Sequence, residues 1–267
     1  MQPMRGQAGQ LFLKYFPRFL WLRRVPLLRD WLHQLSYRIL PADAQIWIQI
    51  RSGVGKDLWL ELNPRTGREY YEGSLERAVQ QALCNHLFPG MVFYDIGANI
   101  GFFTLAAARL LGEEGKVFAF EADPDAARRL RENVQRNLLR NVVVLESAVW
   151  STTGEVVFLR SDPTASPDRG LGRVAAQADQ GEKIVVASLA LDDFIATAPP
   201  PDFIKCDAEG AEEEIFRGAK DLLALYKPGI ICECHSLKSL RLLRELFDSL
   251  GYQVSLVNSN HLLALPS

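Results

Sequence analysis

In the segment Asp95-Ile96-Gly97-Ala98-Asn99-Ile100-Gly101 of this 267-residue chain, residue type and spacing point directly to chemistry. Two glycines bracket a turn, and a carboxylate opens it. Gly97 lets the backbone turn sharply without a Cβ clash, and Gly101 permits close approach where a helix begins. A pyrophosphate-binding turn reads G-x-G-x-x-G, with a middle glycine on which the phosphates lie. Here that position is Asn99, so the dinucleotide pattern fails. Asp95 places a negative charge beside the turn, which suits a cation rather than a pyrophosphate. Glu121 stands twenty residues past Gly101, at the end of an apolar run. A carboxylate there can accept hydrogen bonds from both hydroxyls of a ribose. S-adenosylmethionine carries an ammonium and a sulfonium and no phosphate, and it meets these demands.

A second set of polar residues lies further along the chain. Asp207 and Glu209, followed by Gly210, stand where an apolar strand meets a helix. They could orient an acceptor hydroxyl or the cofactor ammonium, and one could take up a proton. They could equally be acids favoured by a helix dipole. Glu212, Glu213 and Glu214 read as dipole complements and solvated charges. In the run Gly229–His235, period two puts Ile231, Glu233 and His235 on one face. A lone Glu in an apolar strand is expensive to bury without a partner. His235 is a candidate general base, or a polar residue flanking the next helix. Tyr70 and Tyr71 either close over the substrate or pack in the core. A divalent metal has oxygen donors available in Asp207, Glu209 and Glu233, but no signature spacing supports one.

These residues need a scaffold that brings strand ends together, and the hydropathy pattern supplies one. From Met91 onward, strands expected at 91–95, 116–121, 141–149, 202–207 and 229–235 alternate with helices at 101–111, 124–138, 211–225 and 237–250. Asp123 caps the second helix, with Pro124 at its first position. Continuous apolar strands separated by helices imply a doubly wound, mostly parallel α/β sheet covered on both faces. Strands at 253–257 and 261–265 are too close in sequence for a parallel crossover, so the C-terminal strand must run antiparallel. That makes seven strands. Between 149 and 202 no long helix fits. Strands at 155–160 and 183–189 read as a β insertion (about 154–189) around a Gly/Pro/Ser-rich loop, Ser161–Gly172, expected to be mobile. Before the sheet, a hairpin (46–50 and 58–62) and a helix (74–87) form an N-terminal α/β extension. The expected division is 1–69 for the extension and 70–267 for the main domain.

The motifs themselves resemble those of class I S-adenosylmethionine-dependent methyltransferases. The resemblance rests on Asp95-x-Gly97-x-Asn99-x-Gly101 with Phe102 and Thr104, then Phe120-Glu121-Ala122-Asp123-Pro124. Further segments are similar to the FkbM type: Tyr71-Glu72, Ser147-Ala148-Val149, Leu191-Asp192-Asp193-Phe194, Ile204 through Glu212, and Glu233-x-His235. The resemblance covers about Tyr70 to His235. One departure is Cys206-Asp207-Ala208, where Ile-Asp-Val is expected; the polar pair Asp207 and Glu209 is intact. The resemblance implies that Asp95, Gly97, Asn99 and Gly101 surround the methionine moiety, with Phe102 and Thr104 beside them. It implies Glu121 on the ribose, Asp123 and Ala148 near the adenine, and Asp207 facing the methyl-transfer site. It further implies O-methylation of a sugar, polyketide or other small hydroxylated acceptor, with Asp207, Glu209 and His235 as candidate catalytic residues and Tyr71 and Glu233 as candidate acceptor contacts. The rival readings are a non-catalytic S-adenosylmethionine-binding protein and a nucleotide-dependent oxidoreductase, the latter disfavoured by Asn99.

Composition bounds the rest. Hydrophobic residues make up 48% and charged residues 23%, with a formal net charge of −2, which excludes global disorder and binding of polyanions by bulk charge. No nucleic-acid module is visible. The charge is unevenly spread: residues 1–40 carry seven Lys/Arg and one acid, a net of +6 against −8 for the remainder. Aromatic residues interleave with these bases over Leu11–Arg38, the composition of an interfacial helix on anionic lipid. Docking on the acidic body, covering the active site or an oligomer contact are the alternatives. No stretch fits a membrane-spanning helix or a cleaved secretion signal, and the four cysteines read as buried reduced thiols, so the expected location is cytoplasmic with peripheral membrane contact through the arm.

Overall fold

The computed structural model describes residues 44–64, 67–161, 172–175 and 180–267. The basic arm and nearly all of the Ser161–Gly172 loop lie outside the described residues. The main sheet contains β3 (Val92–Ile96), β4 (Lys116–Glu121), β5 (Val142–Glu146), β10 (Phe203–Cys206), β11 (Gly229–Glu233), β12 (Tyr252–Leu256) and β13 (His261–Pro266). Its order is β12-β13-β11-β10-β3-β4-β5. β10 pairs parallel with β3 and β11, and β3–β4–β5 are parallel, while β13 is antiparallel to both β11 and β12. The doubly wound seven-stranded sheet with one reversed C-terminal strand is therefore the observed fold. β10 and β3 are central, so the carboxyl ends of five parallel strands, together with the start of β13, converge on one edge.

Alternation along each strand divides the core between the two faces. Phe93, Val117, Phe203 and Ile231 face a cluster containing Leu83 of α2 (Arg77–His86), Leu105 of α3 (Phe102–Leu111) and Leu130 of α4 (Pro124–Arg136). Their neighbours Tyr94, Phe118, Ile204 and Cys232 face the other cluster. It holds Ile215 and Phe216 of α6 (Glu212–Arg217), Leu222 of α7 (Lys220–Leu225) and Phe247 of α8 (Leu237–Ser249).

The hairpin of β1 (Ile46–Gln49) and β2 (Trp59–Leu62) is antiparallel, and Leu60 and Leu62 belong to the first of these clusters. The extension and the main domain thus share a core among the described residues. Side chains of α4 hold the hairpin in place: Asn133 and Asn137, one turn apart, accept from the backbone amides of Glu61 and Trp59, both at 2.8 Å. A short helix α1 (Arg68–Glu72) carries Tyr70 and Tyr71.

Three elements depart from the sequence expectation. The strand expected over 141–149 is two strands in different sheets. β5 ends at Glu146 and β6 (Ala148–Val149) joins a second sheet, ordered β6-β9-β7-β8, with β7 (Gly154–Leu159), β8 (Arg173–Val174) and β9 (Lys183–Leu189). Ser147 is the corner. The helix expected over 211–225 breaks at Gly218, where a Cβ would stand 2.5 Å from the Trp150 carbonyl oxygen. The Gly218 carbonyl also accepts from the amide of Asp192 in a short helix α5 (Leu191–Phe194), so backbone contact there outweighs helix continuity. Of the cysteines, Cys206, Cys232 and Cys234 are buried as expected, but Cys84 is exposed on α2. No helix among the described residues is long and apolar enough to cross a membrane.

Candidate active site

The turn after β3 fits tightly against the neighbouring strand end. Gly97 has a φ of +72°, and a Cβ on it would stand 1.8 Å from the carbonyl oxygen of Asp207. No other residue can hold this turn against the end of β10. Asn99 takes φ +50°, a left-handed conformation that Asn tolerates best among residues with a side chain. Its backbone amide donates to Glu121 Oε2 at 2.7 Å, and the Asp123 amide donates to Glu121 Oε1 at 2.8 Å. Each carboxylate oxygen keeps a further lone pair. Burial pushes the Glu121 carboxyl up to about 7, against the pull of these two amides.

Glu121 lines a cleft with Gly97, Asn99, Ser147, Ala148, Asp207 and Glu209. Phe158, Arg173 and Val174 of the second sheet form its far wall. The corner at Ser147 therefore has a use: it turns the chain out of the main sheet and gives the cleft a side. The cleft encloses about 620 Å³ including its open mouth.

The other expected cofactor residues support this cleft from behind. Asp95 is fully buried; Thr104 donates to its Oδ2 at 2.5 Å, and Lys205 Nζ lies 3.7 Å from Oδ1. Gly101 opens α3, and Phe102 is buried against Tyr70, with ring centroids 5.8 Å apart. Asp123 caps α4, accepting from the amides of Asp125 and Ala126. It also binds Arg160 at 3.0 Å. Its carboxylate is held by the cap and by Arg160, and Asp123 is not among the residues that line the cleft. Tyr71 stands apart from the cleft, under the Arg51 guanidinium at 5.7 Å.

A charged network continues the floor of the cleft along β10 and β11. Lys205 is 3% exposed and lies 3.3 Å from Asp207 Oδ2, with its ammonium 5.2 Å from the Phe103 ring. Burial opposes its charge, but Asp207 and Asp95 outweigh that and hold the ammonium above its ordinary range. Asp207 is lowered: burial would raise it, and Lys205 and then His235 overcome this. Glu209 is raised by burial, with His235 pulling it back.

His235 Nδ1 is 2.7 Å from Glu212 Oε1, and its Nε2 lies 3.4 Å from Glu209 and 3.8 Å from Asp207. The Glu212 hydrogen bond raises the imidazole to about 9, so the ring is an imidazolium at neutral pH. Glu212 itself is fully buried and also accepts from the Gly210 amide at 2.9 Å. The reading of Glu212 as a solvated charge is thereby corrected. β11 ends at Glu233, so the strand's alternation does not extend to His235. Glu233 reaches instead toward β13: Asn260 Nδ2 donates to its Oε1 at 2.6 Å.

Sequence reasoning missed Lys205, Ser147 and Glu212 as site residues. Lys205 had a signal, a lone cation inside the apolar run Phe203–Cys206. Ser147 and Glu212 had none beyond their place in the motifs.

An open sheet reversed at one strand, with acid-tipped central strands beside a cleft, is the architecture of the class I methyltransferases. The chain belongs to the family described as the methyltransferase FkbM domain, which matches residues 95–254. Its fold is similar to that of an FkbM methyltransferase from Methylobacillus flagellatus KT. The TM-score is 0.50 and the identity 18%, over 76% of this chain and 48% of that one. Among curated proteins it is 28% identical over 134 residues to the hexuronic acid methyltransferase AglP of Haloferax volcanii, covering 49% of this chain and 51% of that protein. It is 45% identical over 60 residues to a probable cobalt-precorrin-6B C(15)-methyltransferase of Sulfurisphaera tokodaii, covering 22% of this chain and 31% of that protein. The chain thus spans about half or less of the length of these curated relatives.

Proposed function

We propose that this protein transfers a methyl group from S-adenosylmethionine to a hydroxyl of a small, sugar-like acceptor. The observation that carries the reading is Glu121. It is a buried carboxylate at the end of β4, fixed by two backbone amides and still able to accept on both oxygens beside the Gly97–Asn99 turn. Asn99 Oδ1 is buried without a hydrogen-bond partner, and Ser147 Oγ is likewise unpartnered, both on residues that line the cleft. These unspent acceptors fit a ligand that brings an ammonium, ribose hydroxyls and an adenine, and they offer a pyrophosphate nothing. When bound, S-adenosylmethionine supplies an electrophilic methyl on sulfur.

The chain's own residues then hold the acceptor and its proton. Asp207, kept anionic by Lys205, aligns the acceptor hydroxyl at the end of β10. Methyl transfer is an in-line displacement, and most of the rate comes from that alignment. Glu209, whose raised carboxyl is a better proton acceptor than Asp207, takes the proton as the oxygen–carbon bond forms. His235 is an imidazolium and is therefore poorly placed to act as the base suggested by sequence. It holds Asp207 and Glu209 in place, oriented in turn by Glu212. A sugar-like acceptor is favoured by the similarity to the hexuronic acid methyltransferase. The β1–β2 extension acts as part of this one domain, and the basic arm of residues 1–40 serves location rather than chemistry.

The test is calorimetric binding of S-adenosylmethionine against NAD, followed by an acceptor screen with methyl-labelled cofactor that includes free and glycosidic hexuronic acids. Saturable binding of S-adenosylmethionine with no label transferred to any hydroxylated acceptor would favour the binding-protein reading. Preference for NAD would overturn both.

A further inference from the structure

We propose that Glu76, Glu233 and His261 form a binding site for one divalent first-row transition ion, at the strand-end edge of the sheet beside the methyl-transfer cleft. Glu233 closes β11 and His261 opens the antiparallel β13 directly opposite it in register. Cross-strand partners stand side by side, so the pair is brought together by the sheet itself. Glu76 arrives from the N-cap of α2. One oxygen or nitrogen from each residue lies within 4.8 Å of the others.

The hydrogen bonds around His261 fix its tautomer. Asn258 Oδ1 accepts from the backbone amides of Asn260 and His261, at 3.0 and 2.8 Å, so that atom is the oxygen of the amide. The same atom lies 3.1 Å from His261 Nδ1. Nδ1 must then donate, and in the neutral ring Nε2 carries only a lone pair. His261 is 4% exposed, and its Nε2 has no hydrogen-bond partner. It faces Glu76 Oε2 at 3.4 Å and Glu233 Oε2 at 3.7 Å. Glu76 Oε2 is itself buried and unpartnered. Three lone-pair atoms turned toward one point repel each other unless a cation lies between them. Ligands about 2.0–2.2 Å from a tetrahedral ion stand about 3.3–3.6 Å apart, close to these spacings.

The surroundings match an ion site. The imidazole donates its far nitrogen to Asn258, and Asn260 donates to the second oxygen of Glu233. Such outer contacts orient the ligands of bound metals. One imidazole and two carboxylates suit zinc, manganese or cobalt better than magnesium or calcium, which prefer oxygen alone. The neighbouring group of Asp207, Glu233 and His235 is different. There Lys205 lies 3.3 Å from Asp207 and the imidazole of His235 is held by Glu212 at 2.7 Å, so cationic side chains already serve that group.

The experiment uses the full chain, stripped with a chelator and dialysed. Cobalt binding is followed by visible absorption and zinc binding by calorimetry and thermal unfolding. We expect one saturable equivalent and a melting temperature raised by zinc. Glu76→Gln and His261→Gln should each weaken binding by about a hundred-fold or more, and Asn258→Ala by about ten-fold. If His261→Gln does not fold, the more exposed and isosteric Glu76→Gln carries the test. Absence of saturable binding would overturn the proposal. Unchanged binding by a folded Glu76→Gln would also overturn it, by placing the ion elsewhere, for instance on Cys84. Neither readout involves turnover, so its outcome is independent of the methyl-transfer reading.

Discussion

The two halves of the strand-end edge solve the same problem, a buried carboxylate, in different ways. At β4, Glu121 is held by backbone amides two and twenty-two residues away, and Asp123 beside it is absorbed in a helix cap. At β10 and β11, Asp207, Glu209 and Glu233 are held by side chains: Lys205, His235 and Asn260. Backbone donors are fixed by the fold and carry no net charge. They favour the ionised form but without a full opposing charge, so at Glu121 they offset burial only in part and do not decide the protonation state. Side-chain cations do choose it, and they keep Asp207 ionised. The difference suits a division of labour, with a rigid half that receives hydroxyl donors and a charged half that aligns a reacting oxygen.

The strongest way to break the comparison is to remove the buried cation of the charged half, Lys205. Lys205→Met keeps the length and apolar stem but leaves Asp95 in low dielectric without a counter-ion and Asp207 with only the more distant His235. Breaking a buried pair on one side costs about 3–5 kcal/mol, so a large drop in the midpoint of chemical denaturation is expected. An unchanged midpoint would mean that solvent or protonation already relieves the two acids. Next comes Asp207→Asn, which preserves shape and removes charge. Turnover should fall about a hundred-fold while S-adenosylmethionine affinity stays within a few-fold, because misalignment of a reactant carries a penalty of that order. Near-normal turnover in the folded variant would pass the aligning role to Glu209.

A smaller effect is expected on the rigid half. Glu121→Ala should weaken S-adenosylmethionine binding by about ten-fold, through loss of charge-assisted hydrogen bonds worth about 1.5–3 kcal/mol. Calorimetry on the folded variant measures this directly, and unchanged affinity would remove Glu121 from the cofactor site.

The two halves also differ in how far they could be read from sequence. The rigid half is local: the turn, the strand ending at Glu121 and the Asp123 cap lie within thirty residues of one another, and each has a residue-level signature. The charged half is assembled from separate elements. Glu212 looks like the first of three helix-dipole acids, and only the packing of α6 against the chain after β11 buries it beneath His235. Glu76, Glu233 and His261 are spread over the chain with no spacing in common; only the reversal of β13 sets His261 opposite Glu233. The run 141–149 has only a dip in β propensity at Glu146-Ser147-Ala148, which does not by itself mark Ser147 as the corner where the chain changes sheets. The break at Gly218 answers a backbone contact with Trp150, which no local pattern carries.

The smallest expected effect sharpens the comparison most, because it tests the absence of a fixed charge at Glu121. Its carboxyl is raised from the ordinary 4.5 to about 7, chiefly by burial, with the nearby charges of Asp123 and Asp95 adding to the rise and the two amides opposing it. In the free protein the folded state therefore holds a proton that the unfolded chain has released between about pH 4.5 and 7. Folding stability contributed by this group falls as pH rises through that window and levels off above it. Ribose hydroxyls donate to the ionised form, so binding pulls the carboxyl down and expels the proton. Affinity for S-adenosylmethionine should rise several-fold from pH 6 to pH 8 and then flatten. The binding heat at pH 6.5 should depend on the ionisation enthalpy of the buffer. Glu121→Gln cannot titrate, and it should remove this part of the dependence while leaving whatever arises from the ligand's own amino group. Identical pH profiles for wild type and Glu121→Gln would mean that the carboxylate is already ionised in the free protein, and the contrast between an uncharged rigid half and a charged aligning half would collapse.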